Sequence, residues 1–123
     1  MTNQPGISDA EWAVMNIVWE DQPVTASEII KRLSDKNEWS AATIRTFLHR
    51  LVKKGALEYE TQGNRYVYRA AVRKSSSIKT AARAFLDSVF DGQSGPLLAH
   101  FVKSQRLSKE ELQQLRELLD EKA

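Results

Sequence analysis

The chain has 123 residues, of which 41% are hydrophobic, with a net charge of only +2 at pH 7 and no cysteine. This length allows one domain of ordinary size or two small ones, and the lack of cysteine excludes disulfides, thiolate metal ligands and cysteine nucleophiles. No stretch approaches the roughly 18 consecutive apolar residues of a membrane span, and the amino terminus lacks the basic start and apolar run of a signal peptide. We therefore expect a cytoplasmic protein that needs no metal ion or cofactor.

The first two helices are predicted by capping boxes, in which a Ser or Thr precedes a Glu by three positions. Ser8 and Glu11 open a helix that we expect to run from about residue 9 to residue 19, with apolar residues at helical intervals. Thr25 and Glu28 repeat the spacing and open a short second helix. A polar connection then leads to a third helix, so the order predicts a helix-turn-helix.

The third predicted helix, residues 40 to 55, is the most informative stretch of the chain. Ser40 can cap its amino end and Gly55 its carboxyl end. A core-facing stripe consists of Ile44, Leu48 and Leu51. The other face carries Arg, Lys, Thr and His and no carboxylate. Such a basic, hydrogen-bonding face is typical of DNA recognition, and the alternative is an ordinary solvated amphipathic helix.

The residues of the third helix are divided between candidates for contacts to bases and candidates for contacts to phosphates. The amino-terminal half of a recognition helix usually enters the major groove first, and arginine and threonine can both contact base edges. The candidates for base contacts are Thr43, Arg45 and Thr46, with apolar contact from Ala42. The candidates for phosphate contacts are Ser40, Arg50, Lys53, Lys54 and, further along the chain, Arg65.

Two β-prone runs follow, residues 56 to 61 and 65 to 70, and the Gln-Gly-Asn between them predicts a hairpin. A hairpin after a helix-turn-helix is called a wing, and its tip often touches the phosphate backbone. Tyr66 and Tyr68 share one strand face, and we expect both to pack against the helices rather than to stack on bases. Residues 1 to 72 thus form a predicted winged-helix DNA-binding domain.

Residues 73 to 123 are predicted to form three more helices, the last opened by the capping box of Ser108 and Glu111. These apolar helices are too few for an isolated monomeric bundle, so we predict a helical dimerisation domain. A tail folded back on its own winged domain is the alternative. The predicted dimer contacts are Phe85, Val89, Leu97, Leu98, Phe101, Leu112, Leu115 and Leu119. The predicted fold class is mainly α with a small β-hairpin.

Three motifs resemble those of a known family. They are Ile7-Ser-x-Ala-Glu-Trp-x-Val-Met-x-Ile-Val-Trp19, Trp39-Ser-x-x-Thr-Ile-Arg-Thr46 and Leu51-x-Lys-Lys-Gly55, and they are similar to motifs of the BlaI/MecI/CopY group of bacterial repressors. The resemblance spans nearly the whole chain. It implies a homodimeric winged-helix repressor that binds a palindromic operator ahead of β-lactam-resistance genes or similar ones.

Within that family, the copper-responsive branch uses a carboxyl-terminal cluster of cysteines, which this chain lacks. The resemblance therefore favours the β-lactam branch, in which a membrane-bound sensor protease signals and the repressor is cut within its helical tail. The cut typically lies at an Asn-Phe bond, and the matching bond here is His100-Phe101. The missing asparagine leaves inactivation by the same protease route an open question.

Other classes of function fit the sequence less well. The two histidines lie far apart, and the chain offers no glycine-rich phosphate loop or paired-carboxylate motif, so we expect no enzyme. A winged helix used only for protein docking would more often expose apolar or mixed-charge residues. A DNA-binding regulator of the same fold that answers to another signal, such as a small ligand, stays open as an alternative.

Overall fold

The computed structural model describes residues 6–104 and 107–120, the last two of these in their backbone only. The chain forms two compact units, Met1–Lys74 and Ser75–Ala123. The first unit contains α1 (Asp9–Asp21), β1 (Val24–Thr25), α2 (Ala26–Lys36), α3 (Ala41–Lys54), β2 (Leu57–Gln62) and β3 (Arg65–Ala70). The second contains α4 (Lys74–Phe90), which begins at the boundary, α5 (Ser94–Ser104) and α6 (Lys109–Asp120). The predicted class, mainly helical with a small antiparallel hairpin, is confirmed.

The predicted helix caps form with one difference. Ser8 accepts from the N–H of Glu11, and the Glu11 carboxylate accepts from the N–H of Ser8, which completes the capping box of α1. At α2, Thr25 accepts from the N–H of Glu28, but the Glu28 carboxylate pairs with Arg32 instead of reaching back. A cap of this kind stabilises a helix by about 1 kcal/mol, so each helix start is defined locally.

The sheet has three antiparallel strands in the order β1-β3-β2. Gln62 pairs with Arg65, so the turn of the hairpin has two residues, Gly63 and Asn64, and Gly63 takes the positive φ (64°) that such a turn needs. Strand β1 was not predicted because two residues are too short to show alternation. It pairs Val24 with Tyr68 and thereby ties the start of α2 to the hairpin.

The core of the first unit lies where the helices meet one face of the sheet. α1 packs on α2, α3 and β3, and α3 also packs on β2. The core stripe predicted for α3 is confirmed, because Ile44, Leu48 and Leu51 are each no more than 2% exposed. Burying large aliphatic side chains of this kind contributes about 1.5–3 kcal/mol each. The packing therefore holds α3 with its basic face outward.

The second unit has a small core of its own. Leu86 on α4 and Leu97 on α5 are buried, and the partly buried side chains around them include Phe90 and Phe101. Several large apolar side chains of this unit stay exposed, among them Val89 and Val102. No helix in the described part of the chain is long and apolar enough to pass through a bilayer.

Candidate nucleic-acid interface

The candidate interface centres on α3, whose two ends are fixed by local hydrogen bonds. Ser40 Oγ accepts from the N–H of Thr43 at 3.1 Å and caps the amino end. Gly55 lies in the left-handed region (φ 86°), and its N–H donates to the carbonyls of Leu51 and Val52. Glycine adopts this conformation without strain. Both predicted boundaries are confirmed, so the helix ends where the basic segment ends.

One continuous surface of α3 lies opposite its buried stripe, and we call it the recognition face. Its members, all exposed, are Ala42, Thr43, Arg45, Thr46, His49, Arg50 and Lys53. Their spacing of three and four residues places them side by side on the helix. Arg45, Arg50 and Lys53 have no ion-pair or hydrogen-bond partner within the described part of the chain. Three cations and no carboxylate therefore face outward together.

Hydroxyl groups on the recognition face already hydrogen-bond locally. The side-chain oxygens of Ser40 and Thr43 lie 3.0 Å apart, and Thr46 Oγ1 donates to the carbonyl of Ala42 at 3.1 Å. A threonine that donates to its own helix keeps its methyl group and an acceptor lone pair for another partner. Thr46 thus presents an acceptor and an apolar group rather than a donor.

Lys54 departs from its predicted role as a phosphate contact. Its Nζ donates to Glu11 Oε1 at 2.5 Å and to the carbonyl of Gly6 at 2.9 Å. The Glu11 side chain is only 2% exposed, and a buried carboxylate requires a neutralising partner. Lys54 therefore joins the end of α3 to the start of α1, and we withdraw it from the set of phosphate contacts.

The same contacts set the ionisation of Glu11. Burial raises the pKa of this carboxyl, but the hydrogen bond and charge of Lys54 and the N–H of Ser8 at 3.0 Å outweigh burial. The pKa of Glu11 consequently lies below its ordinary value of 4.5. The carboxylate stays ionised at neutral pH, so the ion pair is present there.

A cleft of about 350 Å³ separates α3 from the β2–β3 hairpin, and we call it the tyrosine cleft. Arg45 and His49 line it from α3, and Tyr59 and Tyr66 line it from the sheet. A neighbouring groove of about 250 Å³ is lined by Arg45, Tyr66 and the hairpin residue Arg65. Arg45 and Arg65, which the sequence assigned to bases and phosphates respectively, therefore lie along one surface.

The two tyrosines expected to pack against the helices behave differently. Tyr68 is 9% exposed and belongs to the core of the first unit, as predicted. Tyr66 is 51% exposed, so the prediction was wrong for that residue. Its ring lies edge-on to the ring of Tyr59, also 51% exposed, with centroids 5.3 Å apart. The helices cover the part of the strand face that carries Tyr68 and leave the part nearer the turn open.

The sequence analysis gave no role to Tyr59, and its two runs left three residues between the strands where the structure has a two-residue turn. A three-residue loop, residues 62–64, would pair Tyr59 with Val67, whereas the observed two-residue turn pairs Tyr59 with Tyr68. A shift of one residue exchanges the two faces of a strand. The turn signal of Gly63 and Asn64 could have revealed the register, since a two-residue turn prefers a glycine with positive φ.

The predicted dimer contacts lie at different depths in the second unit. Phe85 and Val89 are 50% and 60% exposed. Leu97 is buried in the core of its own unit and so lies beneath the surface of the single chain. The partly buried members are Leu98, Phe101, Leu112 and Leu115. The side chain of Leu119 falls outside the described residues.

The His100-Phe101 bond lies inside α5. His100 is exposed, whereas Phe101 is partly buried and packs against the core formed by Leu86 and Leu97. A protease that binds its substrate in extended form would have to open this helix first. Across residues 6–104 and 107–120, no group of three or more acidic or histidine side chains could hold a metal ion.

Comparison with known sequences identifies similar proteins over nearly the full length. The family model described as penicillinase repressor matches residues 7–121. A penicillinase repressor from Bacillus licheniformis is 36% identical over 121 residues, which cover 98% of this chain and 94% of that protein. The methicillin resistance regulatory protein MecI of Staphylococcus aureus is 34% identical over 116 residues, which cover 94% of each chain.

Comparison with solved structures identifies the first unit. The solution structure of the DNA-binding domain of the repressor BlaI is similar, with a TM-score of 0.56 and 42% identity, over 60% of this chain and 90% of that one. The Bacillus licheniformis BlaI monomeric form in complex with the blaP half-operator is also similar, with a TM-score of 0.54 and 43% identity, over 61% of this chain and 92% of that one.

Proposed function

The chain belongs to the penicillinase repressor family and is a DNA-binding transcriptional repressor, and we propose that it binds a two-fold symmetric operator as a homodimer. Each first unit places the recognition face of α3 in the major groove of one half-site. The second units hold the two protomers together. The bound dimer blocks a promoter, and that promoter controls genes of the β-lactam-resistance type.

The observation that supports this proposal most strongly is the recognition face. Arg45, Arg50 and Lys53 are exposed there without carboxylate partners, although the protein as a whole carries a net charge of only +2. Phosphate neutralisation supplies a large share of DNA affinity, so positive charge concentrated on one helix is more informative than the total. The chain is also similar, over 61% of its length, to a BlaI chain solved with its half-operator.

The contacts divide as the helix geometry suggests. Arg45 donates to guanine, Thr43 and Thr46 contact base edges through methyl groups and acceptor oxygens, and Ala42 adds apolar contact. Residues further along the helix and at the hairpin tip bind phosphates. These are Arg50, Lys53 and Arg65, with Ser40 contributing at the amino end of α3.

The exposed apolar side chains of the second unit support a homodimer. Phe85 and Val89 lie one helical turn apart on α4 and are half-exposed or more. Large apolar side chains clustered on the surface usually mark a contact with another chain. A symmetric pairing of these helices fixes the separation of two recognition faces, which is what a palindromic operator requires.

Footprinting of the purified full chain on the DNA that flanks its own gene tests the proposal. We expect protection of a two-fold symmetric site, weaker binding to a duplex carrying one half-site, and a steep loss of affinity as salt rises. Protection of an asymmetric site with equal affinity for the half-site would refute the dimeric mode. No protection at low salt would refute operator binding next to its own gene.

The release signal has two candidates. The first is cleavage at His100-Phe101 after a membrane-bound sensor protease responds to a β-lactam, as the resemblance to the β-lactam branch implies; two relatives are named as a penicillinase repressor and a methicillin resistance regulatory protein. His100 in place of the asparagine that the family presents favours a second candidate, release by a different signal. Immunoblotting of the chain in cells exposed to a β-lactam decides between them, because proteolysis yields a fragment that lacks the tail and the alternative leaves the chain intact.

A further inference from the structure

The tyrosine cleft is lined by five side chains that can donate hydrogen bonds, by the apolar residues Ala26, Leu48 and Val52, and by no carboxylate. Arg45 and His49 stand on one wall, and Tyr59, Tyr66 and Tyr68 stand on the other. The nearby acidic residues of the hairpin, Glu58 and Glu60, line a separate groove with Arg69, and Tyr59 borders that groove as well. An acceptor that carries negative charge therefore fits the chemistry of the cleft better than a cation or a neutral apolar group.

The three tyrosine hydroxyls have no hydrogen-bond partner among the described residues. This is unusual for Tyr68, which is only 9% exposed, because buried hydroxyls normally find a partner. Burial, followed by the neighbouring Tyr59 and Tyr66, raises the pKa of Tyr68. Its hydroxyl thus keeps its proton at neutral pH and can donate a hydrogen bond to an acceptor in the cleft.

The three rings contact one another along one wall of the cleft. Tyr59 and Tyr66 are edge-on with centroids 5.3 Å apart, and the centroids of Tyr59 and Tyr68 are 5.9 Å apart. Ring pairs of this kind stabilise one another by about 0.5–1.5 kcal/mol per pair, which favours this arrangement of the hydroxyls. The half-exposed faces of Tyr59 and Tyr66 also leave an aromatic surface that a partner can cover.

We propose that the tyrosine cleft binds the sugar-phosphate backbone of one operator strand, with the hydroxyls of Tyr59 and Tyr66 and the ring of His49 donating to phosphate oxygens. The inference rests on the proposed function, since it assigns a further part of the same DNA interface. Arg45 lines both the cleft and the neighbouring groove that contains Arg65. The DNA strand therefore runs between α3 and the hairpin, past Arg45 and toward Arg65.

This arrangement gives the tyrosines a second effect on base reading. A phosphate held against the sheet side of the cleft fixes the distance between its DNA strand and α3. Arg45 lies at that boundary, so its guanidinium approaches the base edges from a defined position. Contacts to the backbone set register in this way and carry no sequence information of their own.

The test compares the wild-type chain with Tyr66→Phe and with Tyr59→Phe/Tyr66→Phe, which keep the rings and remove the hydroxyls. Binding is measured on a labelled duplex that carries the footprinted site and on a mixed-sequence duplex. We expect the double variant to lose affinity roughly tenfold on the operator duplex, because hydrogen bonds to a charged group and the positioning of Arg45 are both lost, and by a smaller factor on the mixed-sequence duplex, where only the hydrogen bonds count. Equal thermal unfolding of the variants excludes a folding defect as the cause.

A second arm places single uncharged methylphosphonate linkages along each strand. At the phosphate that occupies the cleft, the wild type is expected to weaken by a larger factor than the double variant, which keeps only Arg45 and His49 there. If the wild type binds and the double variant loses less than about twofold in affinity, the cleft assignment is overturned and the repressor function stays in place. Failure of the wild type to bind either duplex would overturn both.

Discussion

Lys54→Met is expected to lower the free energy of unfolding of the first unit by about 2–3 kcal/mol at pH 7. The substitution keeps an apolar stem of similar length and leaves the Glu11 carboxylate, 2% exposed, without its cation. Breaking a buried pair in this way costs about 3–5 kcal/mol when the remaining group stays ionised. Glu11 limits that cost by taking up a proton, since protonating a carboxyl of pKa 4.5 at pH 7 costs about 3.4 kcal/mol. The hydrogen bond that Glu11 still accepts from the N–H of Ser8 reduces the cost of the substitution a little further.

The cost depends on pH in a defined direction. Because the folded protein lowers the pKa of Glu11, the pair contributes its full stabilisation above the unfolded pKa and loses it as the pH falls through the folded pKa. In Lys54→Met the lysine no longer offsets the effect of burial on the pKa of Glu11, so the carboxylate takes up a proton more readily. The difference in stability between wild type and variant is therefore largest near neutral pH and shrinks as the pH falls toward and through the unfolded pKa of 4.5.

Urea unfolding followed by tryptophan fluorescence measures this difference, because all three tryptophans, Trp12, Trp19 and Trp39, belong to the first unit. The matched control is Lys53→Met, an exposed neighbour without a partner, which is expected to change stability by less than about 0.5 kcal/mol. Glu11→Gln combined with Lys54→Met should recover more than half of the loss. A cost for Lys54→Met below about 0.5 kcal/mol, or the same cost at pH 7 and pH 4, would refute the reasoning.

Six further substitutions test the interface and the fold. Arg45→Ala is expected to cost about 1–3 kcal/mol on the operator and less on a scrambled duplex, whereas Lys53→Ala weakens both about equally and flattens the salt slope; equal losses for Arg45→Ala would contradict the base contact. Arg65→Gln should reduce the affinity measured by fluorescence anisotropy, and Arg69→Gln, on the same hairpin but away from the cleft, should leave it within twofold. Gly55→Ala should cost about 1 kcal/mol in urea unfolding, because the new Cβ meets nothing within 4 Å and only the positive φ is strained. Val89→Glu should shift sedimentation toward monomer, and an unchanged dimer would exclude α4 from the seam.

Local signals predicted much of the fold. The capping residues, the stripe of Ile44, Leu48 and Leu51, and the glycine that ends α3 act over three to seven residues, so the sequence displays them directly. The basic face follows from the same periodicity. The basic face could therefore be predicted together with the helix that carries it.

Pairings across the chain could not be predicted in the same way. Lys54 is adjacent to Lys53 and has the same charge, yet one binds a buried carboxylate 43 residues away and the other faces solvent. The choice depends on the packing of α1 against α3, which no local pattern encodes. Tyr66 was misplaced for a related reason, because the extent to which the helices cover a strand is a property of the assembled unit.

We propose that the recognition face of α3 is the surface that binds DNA. Operator affinity over a range of salt concentrations tests it most directly for the wild type, for a triple alanine variant of Arg45, Arg50 and Lys53, and for a matched triple variant of Lys31, Lys36 and Arg69. We expect the first variant to lose protection of the site and to show a salt slope smaller by about four to five, since each of the two protomers loses two or three phosphate-neutralising cations, while the second variant binds nearly as the wild type does. Equal affinities and slopes for the two variants would contradict the assignment of α3 as the DNA-binding surface.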